Sequence, residues 1–126
     1  MHYIMMIKAT QEYEAGMPPS PELMAGMAKL TEEYVKTGAM VALGGLAPSS
    51  QGMRVRQANG KRTVTDGPFV ETKELIGGYA ILQAESPEEA IAMANRVLDV
   101  HASARVAETE IEIRPLFHSA HFNAAR

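Results

Sequence analysis

The sequence contains no cysteine. The chain therefore forms no disulfide and offers no thiolate nucleophile, zinc knuckle or iron–sulfur ligand. Its 12 basic residues are outnumbered by 15 acidic residues, so no excess of positive charge indicates a nucleic-acid partner. The longest stretch of low polarity, residues 38–47, is half the length that a membrane-spanning helix needs. The sequence also lacks a Gly-rich phosphate loop, a nucleophile elbow and a metal-binding signature.

The N-terminal residues lack the charged region and the small-residue cleavage site of a signal peptide. We therefore expect a cytoplasmic protein with no membrane and no nucleic-acid partner. The chain has 126 residues, of which 46% are hydrophobic and 21% charged, as in a globular domain. We predict one domain over residues 1–117 and a C-terminal tail over residues 118–126.

The first half of the chain shows a strand, a helix and a second strand. Residues 2–7 carry apolar side chains at both odd and even positions, which is typical of a central strand with two covered faces. Ser20-Pro21-Glu22 has the residue types of a helix start, and Gly38 those of a helix end. Residues 40–46 are apolar and short, which predicts a second strand.

The second half repeats this pattern after a hairpin. Residues 52–65 alternate in polarity around Asn59-Gly60, which favours a tight hairpin turn. Residues 79–84 predict a strand, and Ser86-Pro87-Glu88-Glu89 predicts a capped helix start. A loop is expected over residues 101–107, and a last strand with one polar face over residues 108–114.

This order predicts an α+β fold, a ferredoxin-like βαββαβ sandwich with an inserted hairpin. Right-handed crossovers place both helices on one face of an antiparallel sheet. We expect Tyr3, Met5 and Ile7 on the other face, where they would form an exposed apolar patch. A second copy of the chain would cover that patch across a two-fold axis and enclose a cleft for a small ligand.

The densest polar cluster begins at Asp66. Only two of the acidic residues are aspartates and the rest are glutamates. An aspartate at position 66 therefore indicates that the shorter side chain is needed there. In Asp66-Gly67-Pro68 the carboxylate either accepts from the amides of its own turn or projects into a cleft as a base or counter-charge. Glu71, Lys73 and Glu74 are either a solvated run of charges or a network with shifted pKa values.

Arginines form a second cluster. Arg54, Arg56 and Arg62 fall on the predicted hairpin, where they either clamp an anion or solvate an exposed strand. Arg114 follows Glu112 on one face of the last strand, turned either to the helices or to the partner copy. A charge on such a face must be paired or line a wet cavity.

Histidine offers little evidence of a site. His2 lies on the first strand, as a core residue or a catalytic one, and His101 carries no motif. His118 and His121 have the spacing of two metal ligands on a helix, but no third ligand is near. We therefore predict that the tail binds no metal and that the protein uses no cofactor.

Asp66-Gly67-Pro68-Phe69, with Glu71, Lys73, Glu74 and Gly77-Gly78-Tyr79 after it, resembles the DGPF branch of the YCII-related family. Glu112, Arg114 and Pro115 match the closing motif of that family, and the resemblance covers residues 1–117. It implies a dimeric α+β barrel, related to muconolactone isomerase-like and antibiotic monooxygenase-like folds. It also implies a homodimer and a bacterial origin.

The resemblance implies less about activity. The wider family is suspected of catalysis from a His and an Asp, but the first helix here begins Ser20-Pro21-Glu22-Leu23 and has no histidine. The His–Asp pair is therefore not carried over, and acid–base catalysis would rest on Asp66 and Glu71. One branch is similar to a chloromuconolactone dehalogenase. DGPF members are also often encoded beside sigma factors, which suggests regulation.

Two functions follow as hypotheses. The first is a cofactor-independent lyase, isomerase or dehalogenase acting on a small organic acid, with catalytic Asp66, Glu71 and Lys73. Its substrate would be bound by five further residues: Arg54, Glu74, Tyr79, Glu112 and Arg114. The alternative is a non-catalytic module that binds a small anionic ligand or regulates a partner. A raised carboxylate pKa in the cleft favours the enzyme, and a cleft filled by paired charges favours the module.

Overall fold

Two strand–helix–strand units follow each other along the chain. The computed structural model describes residues 1–117, apart from the side chain of Thr72. The predicted tail, with His118 and His121, lies outside the described residues. The first unit runs through β1 (His2–Lys8), a short helix α1 (Gln11–Glu14), α2 (Pro21–Thr37) and β2 (Met40–Gly45). The hairpin strands β3 (Met53–Ala58) and β4 (Lys61–Asp66) follow, and the second unit is β5 (Ile76–Gln83), α3 (Pro87–Ser103) and β6 (Ile111–Pro115).

The main sheet has four strands in the order β2-β5-β1-β6, and every neighbouring pair is antiparallel. This is the strand order of a ferredoxin-like sandwich, so the predicted fold class and the central position of β1 are confirmed. The hairpin β3–β4 forms a two-stranded sheet of its own. Its turn residues Asn59 and Gly60 both have positive φ, as the predicted tight turn requires.

Both long helices begin at the residues that the sequence indicated, and α2 also ends at the indicated glycine. The Ser20 side chain accepts a hydrogen bond from the amide of Leu23, and Ser86 does the same for Glu89. Gly38 closes α2 in the left-handed conformation, which costs glycine little because it has no Cβ. Each serine thus supplies an acceptor for one of the backbone N–H groups that have no partner within the first turn.

The hydrophobic core lies between the helices and one face of the sheet. Its most deeply buried side chains are Met5, Leu82 and Val97, which come from β1, β5 and α3. Tyr3 also belongs to this core, and Ile7 packs against it. The expectation that Tyr3, Met5 and Ile7 face away from the helices was therefore wrong. These residues face the helices, and the alternate residues Ile4 and Met6 face away. Because β1 is apolar on both sides, its sequence could not indicate which side met the helices.

Two irregular segments of the sequence are helical. The expected loop at residues 101–107 begins too early, because His101 lies in the last turn of α3 and is buried. Its Nδ1 lies 2.8 Å from the carbonyl oxygen of Val97, so the ring completes a local backbone hydrogen bond. The polar stretch after β1 contains α1, which Thr10 caps by accepting from Tyr13. No helix within residues 1–117 has the length and apolar character needed to cross a membrane.

Candidate functional site

The uncovered face of the sheet carries two rows of cross-strand neighbours. One row runs Gly44, Tyr79, Met6, Glu112, and the next runs Ala42, Ile81, Ile4, Arg114. Residues paired directly across adjacent strands point to the same side of the sheet, so these eight residues form one surface. We call it the open face. Its centre is apolar, and its polar groups lie on the edge strand β6. The structure thus brings together the predicted residues Tyr79, Glu112 and Arg114.

Tyr79 lies flat across the β2 side of the open face. A Cβ placed on Gly44 would be 2.8 Å from Cε1 of Tyr79 and 2.9 Å from its hydroxyl oxygen. Glycine at position 44 therefore lets the ring rest on the backbone of the edge strand. Among the described residues, the Tyr79 hydroxyl has no hydrogen-bond partner, so it is available to a ligand.

Lys8 ends β1 at the edge of the open face and was not recognised from the sequence. Its side chain is only 13% exposed, and its Nζ lies 3.4 Å from Glu112 Oε1 and 3.7 Å from Glu74 Oε2. A buried ammonium needs such partners, because burial without them is costly. The available signal was its position: Lys8 is the first charged residue of an otherwise apolar strand.

Glu112 connects Lys8 to Arg114. The Nε of Arg114 donates a hydrogen bond of 2.6 Å to Glu112 Oε2, while Lys8 contacts the other carboxylate oxygen. The Arg114 hydrogen bond and positive charge, reinforced by Lys8, hold the pKa of Glu112 below its usual value. Glu112 is therefore ionised at neutral pH. We call Lys8, Glu112 and Arg114 the charged strip.

Arg54, at the base of the hairpin, pairs with Glu71. Its NH1 lies 3.4 Å from Glu71 Oε2, and its guanidinium stacks over the ring of Phe69 at 3.8 Å from the centroid. The pKa of Glu71 is lowered, first by a hydrogen bond from its own backbone amide and then by the charge of Arg54. Both side chains remain half exposed, so this pair contributes little to stability.

The charged run after Phe69 is divided between these partners. Glu71 pairs with Arg54, and Glu74 pairs with Lys8. Lys73 is exposed and has no ion-pair partner among residues 1–117. The run is therefore neither a Glu–Lys–Glu network nor entirely solvated, because two of its carboxylates reach cations on other elements.

Asp66 ends β4 opposite Met53, and its side chain is exposed. Within the described part of one chain, its carboxylate contacts neither Lys73 nor Arg114, nor the amides of its own turn. From the sequence, the Asp66 carboxylate was either the cap of its own turn or a charged group in a cleft. Neither the turn hydrogen bond nor the ion pair is present within residues 1–117 of one chain. The functional roles assigned to Asp66 and to the other site residues stay predictions.

The turn after Asp66 is held against the loop that follows β2. The Gly67 amide donates to the Gly52 carbonyl, and the peptide between Gly67 and Pro68 is cis. Ser49 accepts a hydrogen bond from the Phe69 amide through its Oγ. Glu14 accepts from both the amide and the hydroxyl of Ser49, at 2.7 and 2.6 Å. Glu14 and Ser49 thus position the turn.

Glu14 and Ser49 were not recognised from the sequence. They are separated by 35 positions, and neither belongs to a motif around Asp66. The chain brings them together because α1 follows β1 and the Ser49 loop follows β2, and both strands end at the same end of the sheet. A sequence pattern within one segment could not have shown this contact.

The histidines contribute no cluster. His2 lies opposite Gln83 on the same side of β1 as Ile4 and Met6, and His101 belongs to the helical core. Within residues 1–117, no three His, Asp or Glu side chains converge as metal ligands would.

The fold and the open face define a ferredoxin-like α+β protein whose sheet is covered by helices on one side only. The family model of the YCII-related domain matches residues 1–113, and the chain belongs to that family. The match is to the family as a whole, and the DGPF branch stays a prediction from the motif. An uncharacterized protein of Rhizobium meliloti (strain 1021) is 29% identical over 94 residues, which cover 75% of this chain and 73% of the relative.

Replacement of Gly67 by alanine is expected to disrupt the turn after Asp66. The new Cβ would lie 1.7 Å from the carbonyl oxygen of Ser49, and a backbone atom cannot swing aside. We expect a loss of about 3 kcal/mol or more in the free energy of unfolding, measured by urea denaturation. Gly45→Ala is the matched control, because its Cβ would meet nothing within 4 Å. Equal stability of the two variants would contradict the described packing.

Arg114→Gln is expected to raise the pKa of Glu112 toward its ordinary value of 4.5. A lowered folded-state pKa stabilises the fold above about pH 4.5, and this contribution is lost as the pH falls through the folded value. The Glu112 carboxyl can be followed by NMR titration in both proteins. Arg105→Gln, at the far end of α3, serves as the control. A Glu112 pKa that does not change in Arg114→Gln would rule out the charged strip.

Proposed function

We propose that this protein binds a small organic anion on the open face, and that two copies pair through this face and enclose the site. The observation that carries the proposal is the position of Lys8. Its side chain is only 13% exposed at the edge of an apolar surface, and its ammonium is paired with Glu112 and Glu74. An ionised group kept in such a place is a candidate for binding a charged ligand.

Arg114 provides the donors that an anion needs. Its Nε is used by Glu112, and its side chain is 71% exposed. Among the described residues, its two terminal amino groups have no partner. They form the planar fork that binds a carboxylate in bidentate fashion. The ammonium of Lys8 adds a second positive charge, so the strip can hold a ligand carboxylate without displacing Glu112.

The apolar centre of the open face suits the body of such a ligand. Ile4, Met6 and Ile81 lie beside the charged strip. The Tyr79 ring forms the opposite side of the surface, and its hydroxyl can hydrogen-bond to a ligand. Binding sites for small molecules combine an apolar lining with a few polar groups that fix orientation. The ligand class is therefore an organic acid with an apolar part, not a bare inorganic anion.

A second copy of the chain would complete the site. The centre of the open face is apolar and only half-buried by residues 1–117, and soluble proteins seldom leave such a surface in water. If two copies pair their sheets across a two-fold axis, each copy covers the apolar surface of the other, and a cleft remains between them. We place this homodimer in the bacterial cytoplasm, in line with the relative from Rhizobium meliloti.

The charges favour binding over proton transfer. Glu71 and Glu112 have lowered pKa values, so both carboxylates hold a proton weakly at neutral pH. A general acid or base works best with a pKa near the operating pH. The paired carboxylates are therefore better suited to positioning cations than to catalysis.

Lys8→Met is expected to weaken the binding of benzoate and hexanoate at least about tenfold, because the main buried cation is removed. Binding can be measured by calorimetry and by NMR shifts of the Ile4, Met6 and Ile81 amides. Lys36→Met is the matched control, since Lys36 is exposed on α2 and pairs with Glu32. Equal affinity in both variants, or carboxylates that leave the open-face amides unshifted in the wild type, would contradict the proposal.

One observation favours a second function, acid–base catalysis on an organic acid. Asp66 is exposed and without a partner within the described part of the chain, unlike the paired Glu71 and Glu112. Its position is fixed by the packing of the adjacent Gly67 against Ser49. A carboxylate that is held in place yet unpaired is suited to accept a proton from a bound substrate.

Asp66→Asn separates these two functions. We expect the free energy of unfolding to change by less than about 0.5 kcal/mol, because an exposed side chain without partners is replaced by an isostere. If Asp66 is a base, the wild-type protein exchanges acidic C–H protons of small lactones or organic acids in D2O, and the variant does not. Exchange that persists in the variant would exclude Asp66 as the base. Carboxylate binding that survives in the variant is expected from the binding function.

A further inference from the structure

The hairpin β3–β4 has an apolar face that its own chain does not cover. Met53, Val55 and Val64 lie on this face, because Val55 is opposite Val64 and Met53 is opposite Asp66. Their side chains are 63%, 70% and 64% exposed. The strands contain six residues each, so the hairpin extends about 20 Å. We call it the arm.

The other face of the arm is turned toward its own chain at the base. Arg54 lies on that face, where it stacks on Phe69 and pairs with Glu71. The apolar face therefore points away from these contacts. An isolated two-stranded hairpin is marginally stable in water, and packing on a further surface is what such ribbons need. The arm is thus incomplete within the described part of one chain.

The charge of the arm indicates what covers it. Between residues 53 and 66 there are four basic residues and one acidic residue, a net charge of +3. The whole chain carries −3, so all the other residues together carry −6. A second copy of the chain therefore attracts the arm electrostatically, and such complementarity steers association.

We propose that the arm packs its Met53, Val55 and Val64 face onto a second copy of this chain. The proposal rests on the pairing of two copies put forward above. A nucleic acid would also attract the positive charge of the arm. Binding to a phosphate backbone is mainly electrostatic, however, and would not bury the apolar side chains of the arm. The apolar face therefore favours a protein surface.

This arrangement gives Asp66 a place in the site. Asp66 lies on the same face of the arm as Met53, so an arm laid on the second copy carries the carboxylate into the interface. Asp66 then lies beside the open face of the other copy, near the Lys8 and Arg114 groups that bind the ligand there. Each site of the dimer is completed by the arm of the opposite copy, and two-fold symmetry repeats this contact.

The first experiment removes the apolar surface of the arm and keeps its strand propensity. In the double variant Val55→Thr with Val64→Thr, threonine remains β-branched, so the hairpin can still form. We expect the dimer to dissociate at least about tenfold more readily in sedimentation equilibrium, because both arms of each dimer lose apolar contacts. Val35→Thr, at an exposed position on α2, is the matched control and should leave dissociation unchanged.

The second experiment locates the arm directly. The chain has no cysteine, so Val64→Cys provides a single attachment point for a nitroxide spin label. Spin-labelled protein without ¹⁵N is mixed with ¹⁵N-labelled wild-type protein that carries no spin label, and the subunits are allowed to exchange. Broadening of the Ile4, Met6 or Ile81 amides in the ¹⁵N chain shows contact between copies. A spin label at Ile91→Cys, exposed on the outer side of α3, is the control and should not broaden them.

The outcomes separate this proposal from the one on which it rests. A mass of twice 13.7 kDa without broadening between copies would overturn the arm contact and leave the paired open faces intact. A mass of 13.7 kDa at micromolar concentration would overturn both. Dimer dissociation that is the same in the double threonine variant and in Val35→Thr would overturn the arm contact. Binding of a 20-base-pair DNA that is lost in Arg56→Gln would assign the arm to nucleic acid instead.

Discussion

Two helices can cover only one face of a four-stranded sheet, and most of this structure follows from that limit. Helices α2 and α3 pack on the face that carries Met5 and Leu82, and this contact forms the hydrophobic core. The central strands are apolar on their second face as well, so Ile4 and Ile81 remain beside water in one chain. A fold of this kind is stable as a domain and still holds a surface that needs a partner or a ligand.

The charged strip lies where this apolar surface ends. Lys8 is the last residue of β1 and Glu112 belongs to β6, so their contact is made by strand pairing and not by proximity in the chain. The Lys8 ammonium is paired with Glu112, whose pKa is lowered first by Arg114 and then by Lys8. Glu112 is the shared member, because its removal would leave Arg114 without an ion-pair partner among residues 1–117 and Lys8 with Glu74 alone. Glu74 joins the strip from the segment after the turn.

The turn after Asp66 shows how a short motif depends on distant residues. Gly67 has no side chain because the Ser49 backbone passes directly beside it. Ser49 is in turn fixed by Glu14, on a helix far before the motif in the sequence. The motif thus specifies the shape of the turn, and the surrounding loops specify its place. The arm leaves the body of the protein at this point, which links the direction of the arm to the position of Asp66.

Local chemistry was sufficient to predict the elements. Ser20 and Ser86 cap helices, Gly38 ends one, and Asn59-Gly60 turns a hairpin, because each of these effects involves only a few neighbouring residues. The order of the elements then determined the sheet topology. Alternation along the last strand also placed Glu112 and Arg114 on one face, and the family resemblance pointed to Tyr79.

Contacts between distant segments were decided only by the tertiary structure. The side of β1 that meets the helices could not be read from a strand apolar on both sides, so Tyr3 and Met5 were assigned to the wrong face. Lys8 and Glu112 lie more than 100 positions apart, and no local pattern relates them. The sequence by itself determined which residues form strands, helices and turns, because those choices depend on near neighbours. Which charges meet, and which apolar face stays open, depended on how the strands were ordered in space.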